Sequence, residues 1–194
     1  KDPLYGWIMV ASVFTLSALS FGTLGSVSVF LKPLVLEFGW TRAEASLGYT
    51  VISFSSAIFG ILWGQLADRY GSRYFGFMAS VAMSACLILL SEQSSLIQFY
   101  SLYFVFGALG NAMLGAPLYA TVGYWFKQNP GLALGITAAG GAFGQGVVPM
   151  GAALLIENYG WQSAYLILGI SYFLIGFPLS FLIKEPTARQ NSKA

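Results

Sequence analysis

Seven positions near the centres of long uncharged stretches offer chemistry to a solute: Ser28 with the small Gly25, Tyr49, Ser53, Asn111, Tyr119 and Gln145. All are neutral. Every Asp and Glu lies at or beyond the end of such a stretch, and no Lys or Arg sits near a centre. Polar groups in apolar surroundings are expensive, which makes them functional candidates by default. These groups can exchange hydrogen bonds with a ligand or with a neighbouring helix. For Asn111 and Gln145 the interhelical bond, worth about 0.6 kcal/mol on average, is the first reading. Catalysis is not among their chemistries. The chain has no His, its one Cys, Cys86, lies in an apolar run where it packs, and no set of acid, base and nucleophile falls within the stretches. The same composition excludes a Cys/His metal centre and a disulfide framework, so neither metal nor cofactor is expected.

Charge is concentrated at one turn. Gly64-Gln65-Leu66-Ala67-Asp68-Arg69-Tyr70-Gly71-Ser72-Arg73 sets a carboxylate beside one guanidinium and close to another, in a chain whose charged residues make up 8%. Residues 45–67 before Asp68 and 74–91 after Arg73 are uncharged. Runs of this length are read as membrane spans, so the turn joins two of them.

Charged residues also mark the breaks between the elements that must position these groups. The uncharged intervals are 3–31, 45–67, 74–91, 93–126, 128–156 and 158–183. Even the shortest reaches about 27 Å as a helix, enough to cross the hydrocarbon core. None alternates as a barrel strand does. With 57% apolar residues, the expected fold is an all-α membrane protein, a bundle of six transmembrane helices over residues 1–183.

With a cytoplasmic N-terminus, the inner segments hold Lys1, Arg69, Arg73, Lys127, Lys184, Arg189 and Lys193, and the outer loops hold Lys32 and Arg42. This positive-inside bias places both termini in the cytoplasm and the Trp40 and Trp161 turns outside. Trp7, Trp40, Trp63, Trp125 and Trp161 all fall at span ends, as interfacial anchors. A net charge of +2 scattered over loops gives no nucleic-acid partner. The first span is too long for a signal-peptide core and lacks a small-residue cleavage site.

Tyr5-Gly6-Trp7, Phe38-Gly39-Trp40 and Tyr159-Gly160-Trp161 repeat an aromatic-Gly-Trp unit just before a span. The last two extend into similar flanks, which is consistent with an internal three-plus-three repeat and equally with repeated use of one anchor. Gly60 and Gly64, Gly131 and Gly135, and Gly140 and Gly144 are each four apart, the spacing that lets helices approach closely.

The turn at Gly64 resembles the Gly-x-Leu-Ala-Asp-Arg-x-Gly-x-Arg/Lys loop between the second and third helices of major facilitator transporters, with every specified position filled. Asp2-Pro3-Leu4-Tyr5-Gly6-Trp7 is similar to the first-helix motif of the monocarboxylate porters. Trp125-Phe126 with Leu132-Ala133-Leu134-Gly135-Ile136-Thr137-Ala138-Ala139-Gly140 is similar to their fifth-helix motif, a region the oxalate:formate antiporters share. The chain departs from these patterns where Gln128-Asn129-Pro130 replaces a basic triplet. It also carries Gly25 where some animal members have an intramembrane Lys. The departures favour a bacterial-type relative.

The resemblance implies the N-terminal half of a major facilitator fold, with residues 184–194 starting a cytoplasmic linker to a second six-helix half. It implies a cavity lined by the first, second, fourth and fifth helices, where Tyr119 donates to a carboxylate or, alternatively, bonds a neighbouring carbonyl. Gly64, Asp68, Arg69, Gly71 and Arg73 would form a conformational latch, Asp68 meeting a helix end of the other half. The implied activity is secondary transport of a small organic anion by alternating access in a bacterial inner membrane. Proton symport of a monocarboxylate such as lactate or pyruvate is one form, and monocarboxylate/dicarboxylate exchange another. A self-contained six-helix channel or a scaffold subunit are the readings from other classes.

Overall fold

The computed structural model describes residues 4–185. The start of the first-helix motif (Asp2 and Pro3) and most of the expected linker lie outside the described residues. Five helices are long and apolar enough to cross a membrane: α1 (Leu4–Phe38), α2 (Arg42–Tyr70), α3 (Arg73–Leu90), α4 (Leu96–Trp125) and α5 (Pro130–Phe181). No strand occurs among the described residues.

The six expected intervals fall on five helices because the last two, 128–156 and 158–183, share α5, and a charge does not by itself end a helix. Lys32 and Glu157 sit on exposed positions within α1 and α5, where their side chains leave the backbone hydrogen bonds untouched. The backbone changes instead at Gly160, whose φ of 83° and ψ of 166° interrupt the 52-residue α5. Glycine adopts that φ without a Cβ clash. Both ends of α5 lie near Trp125. Pro130 follows it closely in sequence, and the Trp125 indole donates to the Lys184 carbonyl at 3.0 Å, just past the other end.

Two layers of aromatic contacts define the ends of the bundle. At one, hereafter the Asp68 end, the Tyr5 hydroxyl donates to the Leu182 carbonyl at 2.7 Å and its ring lies 5.3 Å from that of Trp125. At the other, the Trp40 end, Phe38 stacks on Trp40 at 4.6 Å and meets Trp161 at 5.6 Å. Four of the five Trp residues thus sit at the ends. Trp63 does not: α2 continues to Tyr70, and the Trp63 indole turns inward to donate to the Ala108 carbonyl at 2.6 Å. That carbonyl belongs to a π-helical segment of α4, Phe106–Asn111, where a widened turn disturbs the usual backbone pairing.

Short-range signals set the turns. Thr41 and Glu44 form a capping box that starts α2, the reciprocal bonding that satisfies two otherwise unpaired N–H groups. Ser95 caps α4 by accepting from the Gln98 N–H at 3.3 Å.

Backbone contact, more than side-chain size, holds α1 against α5. A Cβ on Gly140 would collide with the Phe14 carbonyl oxygen, and one on Gly144 with that of Ala18. Buried hydroxyls add cross-links between helices. The Tyr172 hydroxyl donates to the Leu19 carbonyl at 2.6 Å and accepts from Thr23 at 2.8 Å. Ser84 reaches the Gly169 carbonyl at 2.7 Å, and the Tyr103 and Tyr165 hydroxyls pair at 2.8 Å. In lipid such bonds and close backbone approach replace the hydrophobic drive that folds a soluble core.

The other glycine pairs behave differently. Gly60, Gly131 and Gly135 have no atom within 4 Å of an added Cβ, and Gly64 meets only the Ala116 methyl at 3.8 Å. The close backbone approach expected at these glycines is absent among the described residues: Gly60, Gly131 and Gly135 face open space, and Gly64 faces only a methyl of α4.

Candidate functional site

A single stripe of α1 is left partly uncovered along its length, through Trp7, Ala11, Phe14, Phe21, Gly25, Ser28 and Lys32. The spacing of three and four residues keeps these on one helix face. Two of the seven candidate polar positions lie on it. The Ser28 hydroxyl folds back to the Gly25 carbonyl at 2.9 Å. Gln145 of α5 is exposed beside them, and a Cβ on Gly25 would lie 3.4 Å from the Gln145 carbonyl oxygen and 3.3 Å from the Pro149 ring. Gly25 therefore lets the α5 backbone approach this part of the stripe closely.

The remaining candidates are distributed around the bundle. Asn111 is buried and its Oδ1 accepts from Ser20 at 2.9 Å, so this amide joins α4 to α1. Tyr49 is exposed on α2, with half-buried Ser53 about one turn away. Tyr119 is half-buried on α4; its ring packs against the core, and its hydroxyl has no hydrogen-bond partner among the described residues. Gly25, Ser28 and Gln145 come together, while Tyr49, Ser53 and Tyr119 are tied to that group by no bond.

Sequence reasoning passed over two cations. Lys32 and Arg42 line a cavity of about 620 Å³ at the Trp40 end, together with Ser28 and Ser46. They counted in the sequence only towards topology, because nothing in their spacing brings residues 32 and 42 together. Folding α2 back at Gly39 does so.

The turn at the Asp68 end is divided between two recesses. Asp68 and Arg69 line one, with Gln65, Leu66 and Tyr70. Gly71 and Arg73 line the other, with Tyr74, Lys184 and Glu185. Gly71 has φ 92° and carries the chain tightly past Glu185, whose carboxylate accepts from the Ser72 N–H at 2.9 Å. A side chain on Gly71 would meet that carboxylate at 2.8 Å. The carboxylate caps the start of α3, where N–H groups and the helix dipole favour negative charge. Gly64 is half-buried one helical turn before Asp68, beside Ala116.

Apolar helices of spanning length, with charge held at their ends and neutral groups along one uncovered stripe, define a multi-pass membrane protein. Residues 13–194 match the Major Facilitator Superfamily, and the chain belongs to that family of transporters. It is 28% identical to the riboflavin transporter RibJ of Trypanosoma brucei brucei over 197 residues, covering 98% of this chain and 36% of the relative. It is 30% identical to monocarboxylate transporter 3 of Rattus norvegicus over 176 residues, covering 87% and 34%. Monocarboxylate transporter 12-B of Danio rerio is also 30% identical, over 172 residues covering 87% and 35%. The chain thus spans about a third of the length of these curated relatives.

Proposed function

We propose that this chain is the N-terminal half of a secondary transporter that moves a small organic anion, a monocarboxylate in symport with a proton, by alternating access. The observation that carries the reading is the α1 stripe, where Gly25, Ser28 and Gln145 meet and, among the described residues, no charged side chain approaches the span centres. An unpaired anion in that environment is costly, by several kcal/mol. A second six-helix half then supplies the countercharge, and this half supplies shape and neutral donors. The 30% identity to proteins named monocarboxylate transporters supports the solute class.

In this reading the arms 130–159 and 161–181 of α5 are the fifth and sixth spans. Their support is the break at Gly160 and the return of both ends to Trp125. Both termini lie in the cytoplasm, and the membrane is a bacterial inner membrane. Proteoliposomes containing the full-length protein should accumulate labelled lactate when an inward proton gradient is imposed. Uptake of riboflavin without lactate would replace the monocarboxylate reading, and lactate exchange for a dicarboxylate without proton dependence would replace symport by antiport.

The turn is proposed as the latch between halves, with Asp68 exposed at the edge of its recess for an inter-half contact. Asp68→Asn should reduce the transport rate about tenfold, the effect of one lost charged contact of some 1.4 kcal/mol, with membrane expression retained. Transport at the wild-type rate would leave Asp68 as a topology signal alone.

A further inference from the structure

Lys32 and Arg42 reach one cavity from two helices, between the last turns of α1 and the first turn of α2. Neither has a hydrogen bond or ion pair to another described residue. The acids nearby, Glu37 and Glu44, form no ion pair with either and do not line the cavity. Glu44 is held in the capping box, accepting from the Thr41 N–H and hydroxyl at 2.8 Å each. Ser28 and Ser46 add two hydroxyls to the same wall. A recess walled by like charges focuses the field and concentrates ions of opposite sign, and charge-assisted hydrogen bonds from guanidinium and ammonium suit a carboxylate.

Ser28 connects this recess to the α1 stripe, since its hydroxyl is bonded to the Gly25 carbonyl. We infer that Lys32, Arg42, Ser28 and Ser46 form a subsite at the mouth of the path, which gathers the carboxylate of a small organic anion before it passes Gly25 and Gln145. The inference rests on the proposed function for its solute. A lipid phosphate has similar chemistry; continuity with the stripe through Ser28 favours the solute.

The test uses the full-length protein in phosphatidylcholine nanodiscs, with iodide and neutral acrylamide as quenchers of tryptophan fluorescence, because Trp40 stands two residues from Arg42. The double substitution Lys32→Gln with Arg42→Gln should lower iodide quenching about twofold and leave acrylamide quenching unchanged. Lactate should protect the wild type from iodide and not the double variant. In proteoliposomes the variant should raise KM for lactate supplied at the Trp40 end about three- to tenfold with kcat unchanged, and Lys32→Arg with Arg42→Lys should restore it. Equal iodide quenching in wild type and variant overturns the inference, as does lactate that is transported without displacing iodide. Phosphatidylglycerol that abolishes both effects identifies a headgroup site and overturns it too. Lactate that displaces iodide but is not transported supports the subsite and removes the proposed function.

Discussion

Gly144→Ala is expected to unfold the bundle at a temperature about 6–12 °C below the wild type, the shift that corresponds to about 3 kcal/mol in a chain of this size. The added methyl would overlap the Ala18 carbonyl oxygen. A main-chain atom inside a helix has no torsion that swings it aside, so α1 and α5 must separate. One turn earlier, Gly140 meets Phe14 in the same way, and on the facing helix Gly22 leaves no room for a Cβ against Val148. Separation at Gly144 therefore loosens the whole seam. Gly146→Ala is the matched control: no atom lies within 4 Å of its added Cβ, and alanine favours the helix by about 0.8–1 kcal/mol over glycine. Thermal unfolding in detergent, followed by size-exclusion chromatography, separates the two. A Gly144→Ala protein that melts with the wild type would show that α1 and α5 are not in backbone contact there.

The contrast between these glycines also shows what a sequence can convey. Gly131 and Gly135 have the same four-residue spacing as Gly140 and Gly144, yet only the second pair meets another backbone. Spacing reports that two residues share a face, and it is silent about what lies opposite. The turn from Gly64 to Arg73 was legible because its constraints are local: Gly71 takes a φ that disfavours side chains, and the charges must stand outside the apolar core. The aromatic layers at Tyr5, Trp40, Trp125 and Trp161 were legible for the same reason.

Features that depend on partners were not. The charge pattern puts a break at Glu157, whereas the backbone turns at Gly160, because an exposed carboxylate can ride on a continuous helix. The inward turn of Trp63 answers the π segment of α4, which has no signal of its own in the sequence. Asn111 and Tyr119 are polar residues of one span, for which the sequence favours an interhelical bond at Asn111 and leaves Tyr119 either to a carboxylate or to a neighbouring carbonyl. The fold separates them, since Asn111 is consumed by Ser20 while the Tyr119 hydroxyl is left without a partner among the described residues.

That separation makes Tyr119→Phe the sharpest test of the proposed division of labour. If the hydroxyl donates to a carboxylate, its removal should raise KM for the organic anion about tenfold, and at most about a hundredfold, as expected for 1.5 to 3 kcal/mol from one hydrogen bond to a charged group. The phenyl ring keeps its packing against the core, so stability should not change. With the proton-titrating group in the other half, kcat and the pH dependence of transport should be retained, the pattern of an interaction made equally in ground and transition states. Asn111→Ala should give the opposite result. It deprives the buried Ser20 hydroxyl of its acceptor, costing about 1–3 kcal/mol of stability, while leaving KM near the wild-type value. Measuring KM and melting temperature for both variants in the same lipid decides the matter. An unchanged KM in Tyr119→Phe would remove Tyr119 from the solute path, and a raised KM in Asn111→Ala would bring the α1–α4 seam into it.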